Sequence, residues 1–360
     1  MIRILVLLVA LLSPTLACPF CNPGESDIFG DISEAQAVVL VSKVDKRKYK
    51  IVESLLGPAK AGRVVVAAEP QGKLGKQGTL LLTTAGPPNL PYWSDAPRVL
   101  DKEELAFARK ALQVSRRSEA DKWDFAARHL HNESSEISRA AYNLLATAPL
   151  SEVQKRASIP GQANLVAWVK DPKISPERRA LFLLMSYQGL QPADSSWLKK
   201  ALFDPNISPS SPLLGPLAVA YLNLLGPKAV AEIESHFYKP NYPASRITPL
   251  NRALTLVAEQ SPRLKSAVTE LFRRELKHPQ RGPFVLAPLA LWQDASGMDD
   301  AEGLFKKNPQ VTWVKVAVIR YFRTLPTTIA EAPLRRLSQT DATLVERTTD
   351  TYRRSDLGID

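Results

Sequence analysis

The sequence predicts an α+β multidomain protein, a small N-terminal β barrel or sandwich followed by an all-α helical tail. Three observations carry this expectation. Short, β-branched apolar runs crowd the stretch from about Glu34 to Thr84. From about Ser118 onward, apolar segments of helical period alternate with turns that carry proline. Five of those prolines stand at 172, 205, 240, 279 and 309, at intervals of 33, 35, 39 and 30 residues, room for two helices and two turns.

In chain order, residues 1–17 have the pattern of a cleavable export signal: Arg3, the apolar run Ile4 to Leu12, and small residues up to Ala17. That run falls short of the roughly 20 apolar residues that cross a bilayer. The expectation is a chain exported to the periplasm or cell envelope, soluble or held at a membrane by an anchor at its new N-terminus. Cleavage would leave 343 residues with a net charge of +10. It would also place Cys18 and Cys21 at a free end, away from any core. Residues 18–33 form a separate cysteine-bearing segment, residues 34–114 the β-rich domain, and residues 118–355 the helical repeat domain.

Four strands are expected in the head: Ala37 to Val41, Tyr49 to Leu55, Gly62 to Val66 and Gly78 to Thr83. Leu105, Ala108 and Leu112 then recur at helical spacing, so a helix is expected from Asp101 to Val114 with Asp101 as its N-cap. Before it runs a proline-rich loop, Gly86 to Pro97, with Tyr92 and Trp93 side by side. That pair is a candidate ligand platform; alternatively, Trp93 closes the open end of the barrel. The tail repeats one design: an apolar helix end, a turn, then a second apolar helix. It occurs around Asp171-Pro172, Asp204-Pro205, Lys239-Pro240, His278-Pro279 and Asn308-Pro309, and without proline at Leu130 to Ser134. One helix pair cannot bury its own apolar face, whereas stacked neighbours can.

The tail resembles the HEAT-type repeat over Leu130 to Pro149 and Val169 to Gly189, where an Asp or Asn turn leads into a helix bearing Arg139 or Arg179. The arginine is missing after Pro205 and Pro279. Nearly the whole mature chain is similar to uncharacterised exported proteins of planctomycete type, through Cys18-Pro-Phe-Cys21, the strand Ala37 to Val41 and Leu55-Leu-Gly57. That likeness implies a β head and a helical tail, and no activity. The head is also similar in outline to netrin-like, OB-type barrels, but lacks their further cysteines. This last likeness would imply an inhibitor using its N-terminal cysteine against a metal enzyme.

Cys18 and Cys21 are the only cysteines, so no disulfide framework supports the fold. Four readings compete for the pair: a local disulfide or free pair, a lipid anchor on Cys18, a redox site and a metal site. Redox chemistry would want a strand before the first thiol and a helix after it, and a thiolate metal site would want two more ligands. The histidines, His129, His131, His236 and His278, all stand in the distant tail. Neither a nucleophile elbow, a zinc-protease helix nor a phosphate loop occurs; Gly72 to Lys76 reads as a hairpin turn. No cofactor, metal or catalytic residue is therefore nominated, and the chain is not expected to be an enzyme.

The basic pairs, including Arg178-Arg179 and Arg273-Arg274, read as solvated helix surface. Basic residues interleaved with aromatics are not found, which argues against nucleic acid. The expected partner is a protein or an anionic envelope polymer. The function expected from the sequence is that of an envelope binding or scaffold protein using a helical-repeat surface. The alternative is an envelope thiol-redox or metal-handling protein acting through Cys18 and Cys21.

Overall fold

The computed structural model describes residues 18–348 except positions 19, 22, 25, 71–78, 88–91, 94–95, 209, 240–241 and 243. The signal segment 1–17 and the Gly72 to Lys76 turn therefore lie outside the described residues. The chain is α+β, with an antiparallel barrel-like sheet followed by a long helical region.

The head begins with a helix, α1 (Ile28–Glu34), which the sequence reading missed. Its cap explains it: the Asp27 carboxylate accepts from the backbone N–H groups of Phe29 and Gly30, satisfying donors that a helix start leaves open. Next come β1 (Val38–Asp45), β2 (Lys48–Leu56), β3 (Val64–Val66), β4 (Thr79–Ala85), β5 (Tyr92–Trp93) and β6 (Arg98–Leu100). Strand β1 lies between β2 and β4; β3 follows β2, while β5 and β6 both pair with β4.

The apolar runs have a simple cause. Val38 and Leu40 face a core with Ile28, Ile32 and Phe107, whereas Val39 and Val41 face a second core with Tyr49, Ile51 and Leu82. Strands buried on both faces cannot alternate with polar residues. At Gly57 the backbone has φ +84°, and a Cβ would stand 2.6 Å from the Gln36 carbonyl oxygen. Only glycine meets both demands.

Helix α2 (Lys102–Val114) starts where the sequence places it: Asp101 accepts from the Glu104 N–H, and the Glu104 side chain accepts from the Asp101 N–H. The tail continues with α3 (Glu119–His129), α4 (Ser135–Ala146), α5 (Leu150–Lys155), α6 (Gln162–Lys170) and α7 (Pro176–Ser186). Then follow α8 (Ser195–Leu202), α9 (Leu214–Leu225), α10 (Pro227–Phe237), α11 (Ala244–Gln260) and α12 (Pro262–Leu276). Further on are α13 (Leu286–Leu291), α14 (Met298–Lys307), α15 (Thr312–Thr324) and α16 (Thr327–Thr340), and residues 342–348 are helical as well. The turns expected at Leu130 to Ser134 and at Pro172, Pro205, Pro279 and Pro309 all fall between two helices; Pro240 lies outside the described residues.

Compactness divides the chain elsewhere than the change of secondary structure near 115. One unit ends at Ser186 and the other begins at Tyr187. The first holds the sheet together with α1–α7, because Phe125 of α3 and Ile137 and Ala140 of α4 complete the core under β1. In the second, alternate helices pack on one another, α9 with α11, α10 with α12, α13 with α15 and α14 with α16. Among the described residues, no helix is long and apolar enough to cross a membrane.

Candidate functional site

Cys18 and Cys21 are joined in a disulfide. Cys18 does not lie away from the core, as the sequence reading expected. Cys18 is 4% exposed, and its N–H donates to the Ala148 carbonyl at 3.1 Å. A little further on, the Gly24 N–H donates to Asn143 Oδ1 at 2.9 Å, and Asn143 Nδ2 donates to Asp27 Oδ2 at 2.8 Å. Asn143 thus anchors the segment and orients the carboxylate that caps α1. A Cys18 sulfur bonded to Cys21 cannot also carry a lipid, so anchor and disulfide exclude each other on one molecule.

The aromatic pair is split by the strand it belongs to. Neighbouring strand residues point to opposite faces. Trp93 packs on the core of Val39, Tyr49 and Leu82, while Tyr92 is 58% exposed. Tyr92 stands on the rim of an open cavity of about 860 Å³ within the first unit. Its walls come from α1, β4, β6 and α4, which contribute Asp31, Thr83, Arg98, Glu136 and Arg139.

These charges form one chain. Arg98 Nε donates to Asp31 Oδ2 at 2.5 Å, and its Nη2 donates to the Ser26 carbonyl and hydroxyl at 2.9 and 3.0 Å. Arg98 Nη1 lies 3.6 Å from Glu136 Oε2, which accepts from Arg139 Nη2 at 2.5 Å. The network holds each side chain in place, yet it does not exhaust them. Arg139 Nε is buried without a hydrogen-bond partner although its side chain is 40% exposed. Thr83 is nearly buried at the cavity wall. Thr84, beside it, is occupied: its hydroxyl accepts from the N–H groups of Gln36 and Ala37 and so fixes the entry to β1 against β4. The cavity therefore presents fixed donors and acceptors of both signs next to an aromatic face.

Sequence reasoning reached Tyr92 but not its neighbours. Asp31, Arg98 and Glu136 lie far apart in the chain and meet only through the sheet register and the packing of α1 and α4. Local spacing holds no signal for such a group. Arg139, which carries the HEAT-type likeness, also lines the cavity.

His129, His131 and His236 take aromatic neighbours. His129 lies against Phe107 and Phe125, and His131 stacks on Trp168 at 4.5 Å. Burial pushes the His129 pKa down, helped by the charges of Lys110 and Arg128 against the opposing pull of Glu103. Nor are the paired arginines all solvated surface. Arg178 donates to the Leu130 carbonyl and Arg179 to the Val169 carbonyl at 2.7 Å, both at helix ends where cations are favoured. Burial lowers the pKa of both groups. Arg273 and Arg274 are each held by a carboxylate, Asp294 and Glu234.

No protein-family profile, curated protein or solved structure matches the chain.

Proposed function

We propose that the chain is an exported binding protein of the cell envelope, and that the cavity beside Tyr92 takes a neutral, hydroxyl-rich ligand of the carbohydrate class. One observation carries the reading: a pre-set row of alternating carboxylates and guanidiniums beside an exposed aromatic ring. Three carboxylates, Asp31, Glu34 and Glu136, face two guanidiniums, so neither a strong anion nor a strong cation is favoured. Sugar hydroxyls donate and accept at once and can use both kinds of partner. The tyrosine ring offers a flat apolar face to the ring C–H groups. Arg139 lines the same wall, its Nη2 held by Glu136. The OB-like outline of the head and a HEAT-like stacking of the tail belong to the same reading, the latter supported by the packing of alternate helices in the second unit.

The test is saturation-transfer NMR and calorimetry of the purified protein with neutral, acidic and amino-bearing oligosaccharides. Neutral sugars should bind. Tyr92→Ala and Arg139→Gln should each lower affinity about tenfold, the loss of roughly 1.4 kcal/mol of contact. Binding only of charged sugars, or affinity unmoved by both variants, would overturn the assignment.

A further inference from the structure

A second surface of the head carries a different kind of partner, and it is independent of the cavity. The turn between β1 and β2 is Lys46-Arg47, and the stretch Lys43 to Lys50 holds five cations against the single Asp45. Strand register puts the residues that follow on one side. Lys48 is paired with Val66 and Lys50 with Val64, and all four are exposed, whereas the intervening pair Tyr49 and Val65 points into the core. Residues opposite one another on neighbouring strands share a face. The exposed face is therefore a chequer of lysine and valine. Irregularities in the β1–β2 register leave Val44 and Val52 unmatched, each 59% exposed.

Two features of this face are unusual together. Solvated strand faces ordinarily carry polar side chains, yet Val44, Val52, Val64 and Val66 make up half of the large apolar residues found exposed among the described residues. The cations are also unneutralised. Lys43 is paired with Glu69, but Lys46, Arg47, Lys48 and Lys50 have no carboxylate partner among the described residues.

We propose that this face docks on an anionic lipid surface, the lysines and Arg47 against headgroup phosphates and the valines at the edge of the acyl region. A soluble polyanion would account for the cations alone. An apolar phase beside the phosphates accounts for the valines as well. The surface needs neither a lipid on Cys18 nor a spanning helix.

Co-sedimentation of the full purified chain with vesicles tests the assignment, using phosphatidylglycerol mixed into phosphatidylcholine, phosphatidylcholine alone, and heparin as a soluble polyanion. The wild type should bind the anionic vesicles, weaken as salt rises, and leave phosphatidylcholine largely unbound. Lys48→Gln with Lys50→Gln should lower vesicle affinity about 30-fold. Val64→Thr with Val66→Thr keeps the β-branched shape on exposed positions, and unchanged thermal unfolding confirms the fold. This valine variant should lose about tenfold on vesicles and nothing on heparin. Vesicle affinity unmoved by the valine variant makes the partner a soluble polyanion and overturns the proposal. So does failure to bind anionic vesicles, or a wild-type dimer that the valine variant dissociates, which would make the face a contact between copies.

Discussion

Two clusters of arginine and carboxylate, one in each unit, show why the same residue types serve different ends. In the second unit, Arg281 and Glu275 are 3% and 7% exposed. Arg281 Nε donates to Glu275 Oε2 at 2.6 Å, Nη2 to Glu275 Oε1 at 3.2 Å, and Nη1 to the Lys239 carbonyl at 2.5 Å. Nη2 also reaches the Tyr238 carbonyl at 3.3 Å. Each nitrogen of this guanidinium is used. The turn that delivers it is equally tight: a Cβ at Gly282 would lie 2.4 Å from the Leu276 carbonyl oxygen. In the first unit, Asp31, Arg98, Glu136 and Arg139 are likewise linked, but they line an open wall and leave Arg139 Nε unused. A saturated, buried pair fixes a chain crossing. A linked but unsaturated row at a cavity is, on the proposed reading, the part left for a ligand.

The largest expected effect breaks the saturated pair. Arg281→Met leaves Glu275 charged and buried, which should destabilise the protein by about 3–5 kcal/mol in urea or thermal unfolding. Adding Glu275→Leu should recover part of that loss, because the stranded charge is then gone, while the carbonyls of Tyr238 and Lys239 remain without their donor. The counterpart in the other cluster, Arg139→Gln, should change stability by less than about 0.5 kcal/mol, since its partner Glu136 is partly exposed and keeps Arg98 nearby. If Arg139→Gln proved as damaging as Arg281→Met, the cavity row would be a structural staple and the contrast would fail.

Next in size is the polar anchor of the N-terminal segment. Asn143→Leu strips the Gly24 N–H of its acceptor and Asp27 of a buried donor. About 2 kcal/mol should be lost in unfolding experiments, the expected penalty for buried groups left unmade. Proteolysis at residues 18–26 should also quicken, because Asn143 and the Ala148 carbonyl are two of the points that hold this stretch.

How far each of these regions can be read from the chain alone follows from the range of its interactions. Helix α2 was legible at its first residue because the Asp101–Glu104 box lies within four positions. The tail turns were legible because each proline or Asp turn separates two apolar helices. Helix α1 was not, being seven residues long and ordered by Asp27 and by the core beneath β1. Strand β6 was missed for a similar reason, with three residues whose pairing to β4 makes them a strand. Tyr92 could be picked out as a candidate from its neighbour and its loop, whereas its separation from Trp93 depended on β5 pairing with β4. The cavity row needed contacts 67 positions apart, such as Arg98 with Asp31, which no local pattern encodes.

The smallest expected effect concerns protons rather than pairs, and it again has a member in each unit. His129 and His236 both have pKa values lowered first by burial and then by nearby cations, Lys110 and Arg128 for the first and Lys239 for the second. A lowered pKa means that the folded chain holds these rings neutral while the unfolded chain protonates them. Between the unfolded value near 6.5 and the lower folded value, the unfolded state binds more protons, so stability falls as pH falls through that window and is fully present above it. His129→Gln should flatten the slope of unfolding free energy between pH 7 and pH 5. His236→Gln should do so less, its ring being less buried than that of His129. An unchanged slope in both variants would mean that acid sensitivity resides in carboxylates such as Asp294, held low despite burial by Arg273 and Ser296. That result would move the pH response from the aromatic clusters around the histidines to the ion pairs.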